Sequence, residues 1–543
     1  MEVGFWAVVP PLLTIVLAIV TKEVLLSLFI GVYTGCLIIV GGNPLAGFEK
    51  MVNIILSNLT DSWNMQVLII VILLGGMIGL LTRSGGSAAF GRLLGRKIKT
   101  KKGAQGATWL IGLLIFFDDY FNALTNGAIM RPISDKFNVS REKLSYIIDS
   151  TAVGICLVVP LSSWVAFICS LIASSYATAG VKQDAFQAFL MCIPFNYYAW
   201  LSIIMVIVVV YLGLDYGPMA KAEKRTAETG ALCDKTFSGG GADDDDFSSI
   251  EQKNGGAVDL LAPILLLICC ALVFMLYTGG FFTSFNLLDA VNNMDGMLAL
   301  TYAVFIAVLF AIVFYQVRGL SKISDSIAAF VVGTKSMLFV VILLAFAWGI
   351  GGVGDELDTA GYVASLFVGN VPPFLVAFII FVFSCVMTFS TGATWGTYAI
   401  MIPLAVPLAL AMDINVYACI AAVIGGGGFG NHCSPLADTA ILSSAAANIR
   451  HTDHIKTQIP YSVTCASVAC VGFLISGFVN NFAVPMIVVF VLFLAAVFIL
   501  NRLFGANRYG SETIRSEAAA NGDPAAAGAA SENQECDVEI LTN

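Results

Sequence analysis

The chain has 543 residues, of which 58% are hydrophobic and only 12% are charged, with a mean hydropathy of +0.88. Soluble globular domains carry about 25% charged residues, so this composition excludes a soluble protein and predicts an all-α, polytopic membrane protein in a lipid bilayer. The net charge of -9 comes largely from acids in one loop and in the C-terminal tail, which argues against a nucleic-acid partner.

Apolar stretches long enough to cross a hydrocarbon core of roughly 30 Å recur along the chain, and we predict about eleven full spans. The first of them has no lysine or arginine ahead of its apolar run, which distinguishes it from a cleaved signal peptide. The predicted spans are residues 5–20, 24–41, 66–82, 144–175, 187–213, 259–279, 296–315, 335–353, 415–447, 460–479 and 484–501.

Two further stretches, residues 107–130 and 373–401, carry polar residues within apolar surroundings. They resemble each other, because AIMRP at 128–132 matches AIMIP at 399–403. If both are re-entrant hairpins, nearly all basic loops fall on one side of the membrane, as the preference of lysine and arginine for the cytoplasmic side requires. We therefore predict two hairpins, an external N-terminus and a cytoplasmic C-terminus.

The two halves of the chain are predicted to be inverted repeats. The loop before the first hairpin is basic, whereas residues 362–373 before the second contain no lysine or arginine, which indicates opposite sides. The spans that follow the hairpins, 144–175 and 415–447, are too long for one crossing and contain breakers at Gly154, Pro160 and the run 425–435. Two broken helices and two hairpin tips should converge near the bilayer midplane.

Four regions follow from this pattern. A first membrane half, residues 1–214, contains the hairpin 107–130, and a second half, residues 259–508, contains the hairpin 373–401. The polar segment 215–258 between them, with four consecutive aspartates at 243–246, is predicted to be an acidic cytoplasmic linker. The Ala-, Gly- and Ser-rich tail, residues 509–543, is predicted to be a disordered cytoplasmic segment.

The first hairpin carries the strongest chemical signal. Asp118 and Asp119 lie about 11 residues beyond its start, or roughly 17 Å along a helix, and ionised acids at such depth usually mark an ion path. Carboxylates and the amide of Asn122 offer the oxygen ligands that Na+ needs. Burial also favours the neutral form of a carboxyl group, so the same side chain can hold H+ instead. The alternative is that one aspartate only caps a helix or pairs with Arg131.

The second hairpin offers neutral ligands instead. Ser390, Thr391 and Thr394 could coordinate a cation or hold a substrate carboxylate, although such hydroxyls also commonly bond across helix interfaces. Asp438, about 12 residues from Arg450, is the second-choice ion-binding acid. Asp149 lies near a basic loop and reads as a solvated interfacial acid.

A nucleotide cofactor is not expected. Gly425, Gly427 and Gly430 satisfy the dinucleotide-binding spacing, but no strand precedes them and no ribose-binding acid follows. Transported Na+ and H+ are therefore the only inorganic partners predicted, with no resident cofactor. His432, just beyond the glycines, could relay protons or could be a hydrogen-bonded structural group.

The strings FFDDYFNALTNGAIMRP (116–132) and GGGGFGNHCSPLADTA (425–440) resemble the NhaC-type sodium/proton antiporters. The resemblance implies an elevator-like transport domain built from two hairpins and two broken helices, in a homodimer. It also implies sodium sites at the tips and breaks. The matching positions here are Asp118, Asp119, Asn122, Ser390, Thr391, Thr394, Asn431, His432 and Asp438.

We therefore predict a secondary active transporter of the inner membrane that exchanges Na+ for H+ at Asp118 and Asp119. The alternative is a sodium- or proton-coupled carrier or exchanger of a small organic acid or amino acid, which the hydroxyl-rich second hairpin favours. A membrane enzyme would need a catalytic set such as H-E-x-x-H, which the sequence lacks, and we expect no enzyme. Inverted broken repeats fit alternating access better than a channel.

Overall fold

The computed structural model describes residues 4–506 apart from 22, 96, 234–249, 251–252, 287–289, 291–292, 360, 363–364, 366–369 and 480. The described elements are helices, in agreement with the predicted all-α class. The predicted tail, 509–543, and the aspartates at 243–246 lie outside the described residues.

The helices are numbered in chain order. Those before residue 230 are α1 (Val9–Thr21), α2 (Val24–Ile39), α3 (Pro44–Thr60), α4 (Ser62–Ser84), α5 (Gly86–Gly95), α6 (Lys101–Leu114), α7 (Asp119–Lys136), α8 (Arg141–Cys156), α9 (Ser163–Thr178), α10 (Ala185–Cys192), α11 (Tyr197–Ile207) and α12 (Gly217–Thr229). Those after it are α13 (Ala257–Thr278), α14 (Phe281–Ser284), α15 (Gly296–Val317), α16 (Ile323–Ser336), α17 (Leu338–Glu356), α18 (Pro373–Thr391), α19 (Thr394–Ala411), α20 (Val416–Cys433), α21 (Asp438–Ala447), α22 (His451–Ser476) and α23 (Ala483–Phe504).

The membrane-spanning class is confirmed. Within the described residues, nine helical stretches are long and apolar enough to cross a membrane, or ten if the bent pair Leu25–Ile39 and Pro44–Thr60 is one span. The predicted first span forms a short 3-10 helix, Gly4–Val8, that continues directly into α1. The helix α3 escaped prediction because its polar residues interrupt the apolar run that the span criterion requires.

The first hairpin consists of α6 and α7, which together extend beyond the predicted 107–130 at both ends. Asn122 Nδ2 donates to the carbonyl of Gly112 at 2.8 Å, and Asn126 Nδ2 donates to that of Thr108 at 3.0 Å. Four residues further along α7, the contact lies four residues earlier in α6, so the two arms are antiparallel. Residues 115–118 form the tip.

The second hairpin consists of α18 and α19 and continues beyond the predicted residue 401 to Ala411. Its tip is tight, because α18 ends at Gly392 with a φ of 72°. Residues other than glycine rarely adopt this backbone conformation. Below the tip, Thr388 Oγ1 donates to Thr397 Oγ1 at 2.6 Å and joins the two arms.

Both predicted broken helices are present, but the second breaks later than expected. The first is interrupted between Cys156 and Ser163, where Ser162 accepts a hydrogen bond from Val165 N and caps α9. In the second, the glycines at 425–430 remain helical, and the break covers only residues 434–437. The prediction of a break over 425–435 was therefore wrong for the glycine run.

Close packing explains why that run contains glycines. An ideal Cβ on Gly426 would lie 2.6 Å from the carbonyl oxygen of Phe381, and one on Gly430 would lie 2.4 Å from Thr388 Cβ. The glycines therefore let α20 approach α18 at backbone distance. They serve helix packing rather than helix interruption.

Half-helices of one repeat pack alongside hairpin arms of the other. At the start of α7 and α21, Tyr120 Oη donates to Asp438 Oδ2 at 3.0 Å, and further along Arg131 Nη1 donates to the carbonyl of Ala446 at 3.4 Å. These two helices therefore run in parallel away from their starts. The first turns of α9 and α19 also lie side by side, because the ring centroids of Trp164 and Trp395 are 5.1 Å apart.

The two parallel pairs end at opposite ends of the molecule. Arg141 Nη1 donates to the carbonyl of Asn448, which joins the beginning of α8 to the residue after α21. At the far end of α9, Thr178 Oγ1 donates to Asp355 Oδ2 at 2.7 Å. Because the interrupted helix α8–α9 connects these two ends, the hairpins enter from opposite ends, as inverted repeats predict.

The close approach of α20 and α18 gives a stability prediction. Gly426→Ala should destabilise the protein by about 1–3 kcal/mol, the usual cost of overpacking, because the new methyl group meets backbone atoms that cannot rotate away. The measurement is the thermal unfolding midpoint of the purified protein in detergent.

Gly351→Ala is the matched control, since Gly351 is also helical and its nearest neighbour to a new Cβ is Ser174 Oγ at 3.6 Å. This variant should unfold at an unchanged or slightly higher temperature. An unchanged midpoint for Gly426→Ala would contradict the packing described here.

Candidate ion-binding cavity

A cavity of about 360 Å³ lies where the two hairpin tips meet the two helix breaks. Both hairpins, both interrupted helices and the segment before α2 contribute to its wall. The lining residues are Glu23, Leu25, Asp119, Tyr120, Trp164, Phe339, Thr391, Gly392, Ala393, Thr394, Trp395, Asn431, Leu436 and Asp438. The structure thus brings together most, but not all, of the residues that the sequence nominates.

Asp119 has an unsatisfied carboxylate oxygen at this cavity. It is the first residue of α7 and only 1% exposed, and its Oδ1 accepts a hydrogen bond from Trp164 Nε1 at 2.9 Å. Its Oδ2 has no hydrogen-bond partner among the described residues. A buried carboxylate oxygen without a donor is costly, and a bound cation or proton removes that cost.

Asp118 is a structural neighbour rather than a lining residue. Its Oδ1 accepts from Phe121 N at 2.9 Å and caps α7, while its Oδ2 accepts from Ser163 Oγ at 3.4 Å. The cap fixes where the helix begins and thereby sets the position of Asp119. The two adjacent aspartates therefore occupy different environments.

Asn122 also lies outside the cavity lining. Its Nδ2 donates to the carbonyls of Gly112 and Ile115 at 2.8 and 3.0 Å, so it holds the two arms of the first hairpin together. Its Oδ1 is buried and has no hydrogen-bond partner among the described residues. The geometry thus gives Asn122 a supporting position behind Asp119.

On the second hairpin, Thr391 and Thr394 line the cavity, whereas Ser390 does not. Thr394 Oγ1 accepts from Asn431 Nδ2 at 2.9 Å, and Asn431 Oδ1 accepts from Thr439 Oγ1 at 2.5 Å. This chain of hydrogen bonds connects the hairpin tip to both parts of the second interrupted helix. The hydroxyl of Ser390 donates instead to the carbonyl of Val386 within its own helix.

Asp438 faces the cavity from the first turn of α21. Its Oδ2 accepts from Tyr120 Oη, which ties the first hairpin to the second half of the chain. Together with Glu23 and Asp119 it gives the cavity three carboxylate groups. None of the described residues that line the cavity is a lysine, arginine or histidine.

His432 lies outside the cavity, in a second buried polar cluster. Its Nδ1 is 2.7 Å from Tyr198 Oη, and its carbonyl accepts from Gln458 Nε2 at 2.8 Å. Gln458 Nε2 also donates to Asp149 Oδ2, which lies 3.5 Å from His454 Nε2. The cluster joins α8, α20 and α22 outside the cavity lining.

This cluster corrects the interpretation of Asp149 as a solvated interfacial acid, because its side chain is fully buried. The basic residues near the start of α8, from which the depth of Asp149 was inferred, are themselves partly covered by other parts of the protein. Lys143 is 0% exposed and forms an ion pair with Asp215, while Arg225 of α12 pairs with Glu142 at 3.0 Å. The beginning of the predicted linker thus packs over this end of the molecule.

Sequence reasoning missed several lining residues: Glu23, Tyr120, Trp164, Phe339 and Leu436. Tyr120 and Trp164 are aromatic residues within apolar runs, where nothing distinguishes a cavity wall from a core. Glu23 follows the first predicted span and therefore resembled an ordinary loop acid. Its only signal was an acid between two closely spaced spans.

The sequence profile described as "Na+/H+ antiporter family" matches residues 154–478. An uncharacterized protein of Haemophilus influenzae is 34% identical over 484 residues, which cover 87% of this chain and 91% of that protein. A "Malate-2H(+)/Na(+)-lactate antiporter" of Bacillus subtilis is 25% identical over 148 residues, or 27% of this chain and 30% of that protein.

Among solved structures, MtrF of Neisseria gonorrhoeae, described as illuminating a class of antimetabolite efflux pumps, aligns with a TM-score of 0.51 and 13% identity. The alignment covers 83% of this chain and 85% of that chain, and at this identity it shows a common fold alone. The profile match extends over more than half of the chain, from the first interrupted helix to α22. The chain is therefore a secondary transporter that belongs to the Na+/H+ antiporter family.

Proposed function

We propose that the protein exchanges Na+ for H+ by alternating access, with Asp119 binding the two ions in turn. The observation that carries this proposal is the unpartnered Oδ2 of Asp119 at a cavity lined by both hairpin tips and both helix breaks. When Na+ arrives, the proton leaves this oxygen, and the carboxylate neutralises the metal charge in its place. Thr394 and Asp438, which also line the cavity, supply further oxygens.

Asp118 supports the site electrostatically and structurally in this proposal, while Asp119 contacts the ion. Both oxygens of Asp118 already accept hydrogen bonds, so neither needs a cation to be satisfied. The prediction of Na+ at Asp118 and Asp119 is thereby refined to direct contact with Asp119. Asn122 and His432 act from behind the cavity wall.

We further propose that α6–α9 and α18–α21 move together as one elevator-like unit. Hydrogen bonds from Tyr120 to Asp438 and from Asn431 to Thr394 join the hairpins to the interrupted helices. Breaking this unit during transport would expose unsatisfied polar groups, whereas moving it whole would not. The helix α17, which meets α9 at Asp355, belongs to the stationary part in this proposal.

The proposed orientation is a multi-pass protein of the cytoplasmic membrane with the N-terminus outside and the C-terminus in the cytoplasm. One end of the molecule collects residues from the predicted cytoplasmic loops, as in the ion pair of Lys101 with Glu223 at 2.9 Å. Lys50 of α3 pairs at 2.7 Å with Glu356, which follows Asp355 near the other end of the molecule. The homodimer remains a proposal from the family resemblance.

A second candidate function is coupled exchange of a small organic acid. It is favoured by the similarity to the Bacillus subtilis protein named as a malate and lactate antiporter. Proteoliposomes that respond to Na+ only when a small carboxylate is present would identify this function instead.

The first prediction concerns the two aspartates. In proteoliposomes containing a pH-sensitive dye, Asp119→Asn should reduce Na+-driven proton flux to the level of protein-free vesicles, because the amide can still accept from Trp164 but cannot exchange a proton. Asp118→Asn should retain exchange with a loss of at most about tenfold, since asparagine also caps helices and only charge-assisted hydrogen bonds are weakened.

Asp118→Asn is thus the matched control for charge removal at the neighbouring position. Full flux in Asp119→Asn, or in both single variants and the double variant, would remove Asp119 from the mechanism.

The second prediction concerns the moving unit. Cysteines at Thr178 and Asp355, placed in a variant whose 13 native cysteines are replaced, should abolish transport when joined by a short bis-maleimide, because they connect α9 to α17. The measurement is Na+-driven proton flux before and after cross-linking.

Cysteines at Gln183 and Tyr417 are the matched control, since Tyr417 Oη donates to Gln183 Oε1 at 3.0 Å. Tyr417 lies in α20 of the proposed unit and Gln183 in the loop after α9, so this cross-link does not join the unit to α17. Cross-linking this pair should leave transport intact. Unimpaired transport in the cross-linked Thr178 and Asp355 variant would contradict the elevator-like motion.

A further inference from the structure

The cavity is larger than a Na+ site requires. Its volume of about 360 Å³ falls in the range of roughly 300–1,000 Å³ that is typical of small-molecule pockets. One Na+ ion and its ligand oxygens occupy a small part of such a space. The cavity therefore has room for a solute of several non-hydrogen atoms.

The charged residues that line the cavity determine which charge a bound solute should carry. Glu23, Asp119 and Asp438 all line the cavity, without a basic side chain among the described lining residues. Arg131 of α7 does not line the cavity and donates to the carbonyl of Ala446. An organic acid would thus meet carboxylates, whereas a cation would be attracted.

Two independent features point to a bound cation. Asp119, a residue only 1% exposed, lines the cavity, and its Oδ2 has no partner among the described residues. Beside it, the rings of Trp164 and Trp395 form a tilted pair with centroids 5.1 Å apart. Tryptophan faces bind ammonium groups through their ring quadrupole and also cover apolar surface.

We propose that this cavity binds a small organic cation of the ammonium class as a second cargo. Its charge lies against Asp119 and Asp438, and its carbon groups lie against Trp164 and Trp395. The inference rests on the proposed function in one respect, because Asp119 serves both cargoes. Na+ and the organic cation therefore compete for the cavity, and an organic acid is excluded from it.

Choline tests this inference because its permanent charge prevents passive crossing as a neutral amine. Isothermal titration of the purified full-length protein in Na+-free detergent buffer should show saturable choline binding, with an apparent Kd that rises as Na+ is added. Two compounds of similar shape serve as controls. One is the neutral alcohol that has a tert-butyl group in place of the trimethylammonium group of choline, and the other is the carboxylate anion tert-butylacetate. Both should bind at least about tenfold more weakly, the scale of a lost charge interaction.

Variants locate the bound choline. Asp119→Asn and Asp438→Asn should each weaken binding, and Trp395→Leu should weaken it about fivefold to thirtyfold through loss of the cation–π contact. Trp63→Leu, at the start of α4 and outside the lining, should bind as the unmodified protein does. Thermal unfolding midpoints identify any variant that fails to fold, and at least one of the two acid variants must fold for the comparison.

The outcomes separate this inference from the proposed function. Exchange of Na+ for H+ without choline binding overturns the second cargo and leaves the antiport proposal standing. Choline binding that depends on Asp438 and Trp395, without any Na+-driven proton flux, supports the organic-cation site and overturns the antiport proposal. Tighter binding of tert-butylacetate than of choline overturns the inference in favour of an organic-acid carrier.

Discussion

The structure depends on one constraint: polar backbone groups within a membrane must find partners inside the protein. Two hairpin tips and two helix breaks interrupt the helical hydrogen bonding around one cavity, and side chains replace some of the missing partners. Asp118 caps α7, Ser162 caps α9, and Asn122 bonds the carbonyls at the end of α6. Of the acceptors left without a partner among the described residues of the first hairpin, Asp119 Oδ2 belongs to a carboxylate that lines the cavity, whereas Asn122 Oδ1 belongs to a neutral amide outside the lining.

The difference between Asp118 and Asp119 arises from a single residue step along the chain. Asp118 precedes the helix in an extended conformation, so its carboxylate can fold back onto the free amide of Phe121. Asp119 is the first helical residue, lines the cavity, and accepts a hydrogen bond from Trp164 with its Oδ1. An adjacent acid pair can therefore combine a fixed structural carboxylate with one that exchanges its partner. In the proposed exchange, this cap would keep Asp119 at a constant position when its charge changes.

The sequence was sufficient to predict the hairpins, both interrupted helices and their order, because the AIMRP and AIMIP repeat and the charged loops record them locally. It failed where packing between distant segments decides. The run at 425–430 was read as a break, yet Gly426 allows close contact with Phe381, which is remote in sequence. Asp149 was judged by its distance from a basic loop, which cannot reveal that α12 and α22 bury it. Asp119 and Asp438 were recognisable by depth, but Glu23 and the aromatic wall were not, since an acid between two spans resembles a loop residue and tryptophan in an apolar run looks the same in a core.

Hydrogen bonds between the repeats explain how an ion at the first hairpin can influence the second. Asp119 and Tyr120 are adjacent, and Tyr120 bonds to Asp438 at the start of α21. The next residue, Thr439, bonds to Asn431, which in turn bonds to Thr394 at the tip of the second hairpin. A change of charge at Asp119 therefore acts on a connected set of short contacts that reaches all four converging elements. Coupling of this kind requires differential contacts in two states, and the polar chain around the cavity is the part of the molecule where occupation by a cation or a proton can produce them.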